Sequence, residues 1–217
     1  MSIFLSVVLG ASVLLALVYF RWLEKPASHP RAVVKTLPVL LLSGYALAMH
    51  APLWLAVALA LAALGDLFLA YDGEPPFIAG LVAFLLSHIA YVALFWPHAD
   101  LALILASPAR YAFAWFFVML AGLLLFILWR PAGKLALPVA VYAVAIVAMA
   151  LSALAVRPVM PGVAATLFLL SDTALGLQYF VVKPADPMAK RLKPFVWGTY
   201  FAAQLIFTLA IAGMPRF

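Results

Sequence analysis

Apolar runs long enough to cross a bilayer follow one another along almost the whole of this chain, and they decide its fold class. A spanning helix needs about 20 largely apolar residues. Eight segments qualify: residues 3–22, 32–49, 52–71, 77–96, 109–129, 135–156, 160–182 and 194–213. The stretch 97–108 does not, because its apolar part, Leu101 to Ala106, is too short to span and belongs at the interface. Composition leaves lipid as the only fitting solvent. Hydrophobic residues make up 69% of the chain and charged residues 9%, against roughly half and a quarter in a soluble domain. Backbone groups in hydrocarbon must be satisfied within their own segment, which selects helices. The expectation is an all-α membrane protein of about eight transmembrane helices, forming a single integral membrane domain over residues 1–217.

The first segment reads as a retained helix. Nothing basic precedes Ile3 to Phe20, and Arg21-Trp22-Leu23-Glu24-Lys25 follows it, which does not fit a cleaved signal peptide. The chain has no cysteine, which excludes disulfides, thiol catalysis and Cys-ligated metal sites. Breaks between segments carry turn chemistry at Pro26, Pro30, Pro75-Pro76, Pro97, Pro131 with Gly133, Pro158, Pro161-Gly162, Pro184 and Pro187.

The net charge of +6 reports loop orientation rather than nucleic-acid binding. Loops after the first, third, fifth and seventh segments carry Arg21, Lys25, Arg31, Lys35, Arg130, Lys134, Lys183, Lys190, Arg191 and Lys193. The opposite side carries Arg110, Arg157 and Arg216, which accounts for all thirteen basic residues. The positive-inside rule makes the first side cytoplasmic and turns both termini outward. An odd number of spans would spoil this segregation.

Short matches also recur in order. Leu37-Pro38-Val39 returns as Leu137-Pro138-Val139, Leu64-Gly65-Asp66 as Leu170-Ser171-Asp172, and Pro76-Phe77 with Gly80 as Pro194-Phe195 with Gly198. They suggest a duplicated four-helix unit, with halves 1–100 and 101–217 running parallel about an axis along the membrane normal. Such an axis would make Asp66 and Asp172 equivalent.

Ionisable groups inside hydrocarbon are costly and normally face a bundle interior or a wet cavity. Counting along the segments, Lys35, Asp66, His88, Tyr142, Asp172, Tyr200 and Gln204 fall in one slab, from the cytoplasmic interface to the midplane. The outer half holds little that ionises. Each has a plain structural reading too: Lys35 as a snorkelling charge, the tyrosines as interfacial aromatics, His88 as a packed histidine, Gln204 as interhelical glue. The two aspartates resist such a reading. Asp72 and Glu74 read as solvated turn charges near the cavity mouth, and Asp100 and Asp186 as loop residues. Ser171 next to Asp172 is no catalytic pair, because helical neighbours point about 100° apart. One central histidine, His88, makes a poor zinc set with Asp66 and Asp172. Two carboxylates in a low-dielectric cavity do suit acid and base roles, as in hydrolysis through an oxocarbenium-like ion.

Taken in order, Lys35 before Leu37-Pro38, Gly65-Asp66, Phe77-Ile78-Ala79-Gly80-Leu81-Val82-Ala83-Phe84 leading to His88 and Tyr91, Pro138 to Tyr142, Leu170-Ser171-Asp172, and Tyr200 to Gln204 resemble the YhhN-like lysoplasmalogenase family over roughly residues 30–210. The resemblance implies a multi-pass hydrolase of the bacterial inner membrane that cleaves the vinyl ether bond of lysoplasmalogens, without a cofactor. The products would be a fatty aldehyde and glycerophosphoethanolamine or glycerophosphocholine. It implies Asp66 and Asp172 as the catalytic carboxylates, with Lys35, His88, Tyr142, Tyr200 and Gln204 lining the site, a lysophospholipid as substrate and membrane lipids as surroundings; the slab position of these residues predicts a site open to the cytoplasmic leaflet. Two positions depart from the pattern: Phe201, where a second tyrosine is expected, and Thr173-Ala174 after Asp172. Two other classes compete. A small lipid or proton-coupled transporter would need polar residues in the outer half as well. A non-catalytic lipid-binding protein would tolerate Asp66→Asn and Asp172→Asn.

Overall fold

A computed structural model describes residues 3–183 and 185–213, and among these every regular element is a helix. Pro184 and Arg216, which figure in the sequence reading, lie outside the described residues. In chain order the α-helices are α1 (Ile3–Tyr19), α2 (His29–Ala48), α3 (Leu53–Phe68), α4 (Glu74–Phe95), α5 (Leu101–Leu105), α6 (Pro108–Leu128), α7 (Ala136–Leu154), α8 (Met160–Phe180) and α9 (Pro187–Ala212). Seven of these, all but α3 and α5, are long and apolar enough to cross a membrane, several with a short 3-10 extension. The chain is therefore an integral, multi-pass membrane protein.

Helix boundaries follow local chemistry. Ser28 caps α2, accepting a hydrogen bond from the Arg31 N–H, with Pro30 in the first turn. That starts α2 three residues before the apolar run. Glu74 and Pro75-Pro76 likewise form the first turn of α4. Ser107 caps α6 and Asp100 caps the short α5. The largest departure is α9, which begins at Pro187 and runs through Pro194. The missing Pro194 N–H releases only the carbonyl of Lys190, an exposed residue whose carbonyl water or headgroups can satisfy. The expected third segment is the shortest long helix. Between Pro52 and Leu69, α3 has 16 residues, about 24 Å at the usual rise.

The described residues divide into two compact units, one reaching to Leu94 and taking in the chain from Thr208, the other running from Phe95 to Phe207. In the first unit α2 packs against both α1 and α3. Serines tie its helices together by donating to backbone carbonyls of neighbours: Ser12 to Pro38 at 2.7 Å, Ser43 to Ala56 at 2.8 Å and Ser87 to Ala58 at 2.8 Å. Such bonds satisfy buried hydroxyls where the hydrophobic effect adds little between helices in lipid. Close approach of α3 to α4 rests on glycine. A Cβ on Gly65 would stand 2.5 Å from the Phe84 ring, and one on Gly80 would stand 2.8 Å from the Leu69 side chain.

In the second unit α7 packs against α6 and α8. Arg110 at the start of α6 donates to the carbonyls of Leu154, Val156 and Arg157, which closes the open end of α7. The Ser171 hydroxyl joins α8 to α9 through the Val196 carbonyl at 2.9 Å. Apolar residues cover the exposed face of α6, among them Phe113, Trp115, Met119 and Phe126, as a lipid-facing helix requires.

Candidate active site

In the first unit the centre is an ion pair. Lys35 Nζ lies 3.9 Å from Asp66 Oδ1, with the two side chains 13% and 2% exposed. Lys35 comes from the second turn of α2 and Asp66 from the last turn of α3. The antiparallel packing of α2 on α3 brings those two turns together. Gly65, immediately before Asp66, faces the Phe84 ring, so the backbone that carries the carboxylate is pressed against α4. His88 and Tyr91 of α4 are both fully buried.

Two further residues join this centre that the sequence marks only as an orienting charge and as part of the first apolar run. Arg31, one turn before Lys35 on the same face of α2, donates from Nη1 to the Ala70 carbonyl at 3.0 Å. Tyr19, at the end of α1 and 2% exposed, lies within electrostatic reach of Arg31 and Asp66. A bond of 2.8 Å between His29 Nδ1 and the Tyr71 hydroxyl closes the rim beside them. A buried tyrosine at the junction of an apolar run with a basic loop was the available signal for Tyr19. For Arg31 it was the four-residue spacing to Lys35.

In the second unit the Tyr142 hydroxyl of α7 donates to Asp172 Oδ2 of α8 at 2.5 Å. Asp172 is half-buried. One turn before it on α8, Phe168 meets the ring of Tyr200 edge-on at 5.5 Å. Tyr200 also packs against Trp197 at 5.9 Å, and Phe201 stacks on the same indole at 6.1 Å. Gln204, one turn beyond Tyr200 on α9, is fully buried. Ser171 turns its hydroxyl to Val196 and away from its neighbour Asp172.

All seven residues singled out in the sequence are thus found in helices, in two groups: Lys35, Asp66 and His88 in one unit, Tyr142, Asp172, Tyr200 and Gln204 in the other. Asp100 and Asp186 act locally, accepting from the N–H groups of Ala102 and Met188, and Asp72 and Glu74 are exposed. Among the described residues no three histidine or carboxylate side chains gather as a metal ion would need. Chemically, each unit offers a carboxylate held in apolar surroundings by a proton-bearing partner, an ammonium for one and a phenol for the other.

The sequence profile of the YhhN family matches residues 30–211, which covers nearly all of α2 to α9 and leaves α1 outside it. Two curated relatives, from Mycobacterium bovis and Mycobacterium tuberculosis and each named lysoplasmalogenase, are 35% identical over 163 residues. That alignment covers 71% of this chain and 59% of each relative's length. No solved structure matches.

Proposed function

The chain belongs to the YhhN family, and from that premise we propose that it is a lysoplasmalogenase-like hydrolase, cleaving the vinyl ether bond of lysophospholipids. The observation that carries the reading is that both intramembrane carboxylates are held by proton-bearing partners, Lys35 on Asp66 and Tyr142 on Asp172. The names of the mycobacterial relatives agree with it.

Vinyl ether hydrolysis needs one proton donor, one water molecule and a stabilised cation. The donor protonates the alkene carbon remote from oxygen, which leaves an oxocarbenium ion. Water adds to the carbon bearing the oxygen and loses a proton, and the resulting hemiacetal collapses to an aldehyde and a free glycerol hydroxyl. In this scheme Asp172 is the acid, with the Tyr142 hydroxyl orienting its carboxyl group. Asp66 is the anion, facing developing positive charge and orienting water. Tyr200, Gln204 and His88 are the substrate-binding residues of the scheme, and the apolar helix surfaces take the hydrocarbon chain. No cofactor enters the scheme.

The excess of basic residues on one set of loops supports a bacterial inner-membrane protein whose site opens to the cytoplasmic leaflet, with both termini outside. The ordered sequence matches support two parallel four-helix repeats, with halves 1–100 and 101–217 of one membrane domain.

The test is aldehyde release from a synthetic lysoplasmalogen by purified protein, beside folded Asp66→Asn and Asp172→Asn variants. Turnover by the wild type and a loss of at least a hundredfold in each variant is the expected result, since acid–base groups contribute about 10²–10⁴. A well-folded wild type that releases no aldehyde would sink the reading, and full activity in both variants would remove the carboxylates from it.

A further inference from the structure

Arg31 is only partly explained as a staple between α2 and α3. Its guanidinium hydrogen-bonds the Tyr19 hydroxyl and its Nη1 serves the Ala70 carbonyl, but its Nε is buried and meets no acceptor among the described residues. A buried N–H without an acceptor is unusual enough to ask what it serves. Its surroundings answer in kind. Lys35 follows one turn later on the same helix face, and Arg31 lies close enough for the two cations to repel. Asp66 neutralises one of them. Counting Arg31, Lys35 and Asp66 leaves one net positive charge, fixed among apolar helices. Arg31 is itself in the first turn of α2, where the helix dipole adds positive potential. The Tyr19 hydroxyl completes a polar set drawn from α1, α2 and α3.

We propose that Arg31, with Lys35 and Tyr19, forms a recognition site for a monoanionic phosphodiester, the headgroup linkage of a lysophospholipid, so that Arg31 sets substrate class by charge and by its planar donor fork. As headgroup recognition for the vinyl ether reaction, this rests on the hydrolase reading above; as a binding site, it does not. A single net positive charge matches the single negative charge of a phosphodiester. It would leave a neutral lipid such as an alkylglycerol unrecognised at that end. Tyr19 lies outside the span matched by the family profile, residues 30–211, so this part of the site draws on the helix that precedes it.

The probe is a pair of uncleavable lipids of equal chain length, a 1-O-alkyl glycerophosphoethanolamine and a 1-O-alkylglycerol. Their affinities are measured by thermophoresis on the full chain in detergent. The wild type is expected to prefer the phosphodiester by about ten- to a hundredfold, the range of one or two charge-assisted hydrogen bonds. Arg31→Gln should abolish that preference while leaving alkylglycerol affinity unchanged, and Arg31→Lys should keep part of it. Equal binding of the two lipids by the wild type overturns the proposal without any variant. So does an Arg31→Gln protein that weakens both lipids alike. Phosphodiester preference without aldehyde release would keep this site and remove the vinyl ether reaction. Aldehyde release with no preference would do the opposite.

Discussion

Lys35 and Asp66 reach each other from different helices, in surroundings that leave the carboxylate 2% exposed. Taking one partner away therefore costs more than the pair is worth, because a charge is left in a medium that cannot solvate it. Lys35→Met is expected to lower stability by about 3 kcal/mol, the scale of a broken buried pair. Lys35→Met with Asp66→Leu should recover most of that loss while remaining inactive. Thermal unfolding in detergent, followed beside aldehyde release, separates the two effects. A double variant no more stable than the single one would mean that the ion pair is not what the lysine is for. The sequence exposed both members, because a charge in an apolar run has few places to go. It did not show the pairing. Arg31 and Tyr19 were harder to see: basic and aromatic residues collect at segment ends for interfacial reasons alone, and only the packing of α1 on α2 and α2 on α3 brings them to Asp66.

Between elements the decisive contact is the one with the least atoms in it. Gly65 lets the Phe84 ring occupy the space where a Cβ would stand, 2.5 Å from it, and so lets α4 lie against the turn of α3 that presents Asp66. Gly65→Ala must push that ring or the helix aside, which overpacking experience puts at about 1–3 kcal/mol. Because the displaced backbone carries Asp66, activity should fall further than the stability loss alone would imply. Phe84→Leu added to Gly65→Ala should restore much of the unfolding temperature. If Gly65→Ala is neutral in both unfolding and turnover, the close approach does not position the carboxylate. Apart from the early start of α9, apolar runs placed the helices to within a few residues but told little of such contacts, since a glycine at a helix crossing reads like any other small residue. They also hid what Arg110 does: it closes the end of α7 through three carbonyls.

At the scale of the whole molecule the question is how the chain threads the bilayer, and α3 decides it. Charge segregation needs α3 to cross, yet its 16 residues reach about 24 Å where hydrocarbon is about 30 Å thick. The structure bears on this through one rim. His29 and Arg31 at the start of α2 bond to Tyr71 and Ala70 just beyond α3, so α3 ends at the level where α2 begins. A hairpin built that way returns to the side it left, and the bilayer can thin locally or Tyr71 and Arg31 can snorkel to cover the shortfall. The absence of cysteine makes the point measurable, since any introduced thiol is unique. In intact cells, a membrane-impermeant maleimide should label His50→Cys and leave Ala27→Cys and Asp72→Cys unlabelled until the membrane is opened. Labelling of Asp72→Cys alongside His50→Cys, with Ala27→Cys protected, would mean that α3 does not cross. Labelling of Ala27→Cys and Asp72→Cys with His50→Cys protected would keep the hairpin but invert the molecule, carrying the Lys35–Asp66 end, and any site built on it, to the outer leaflet.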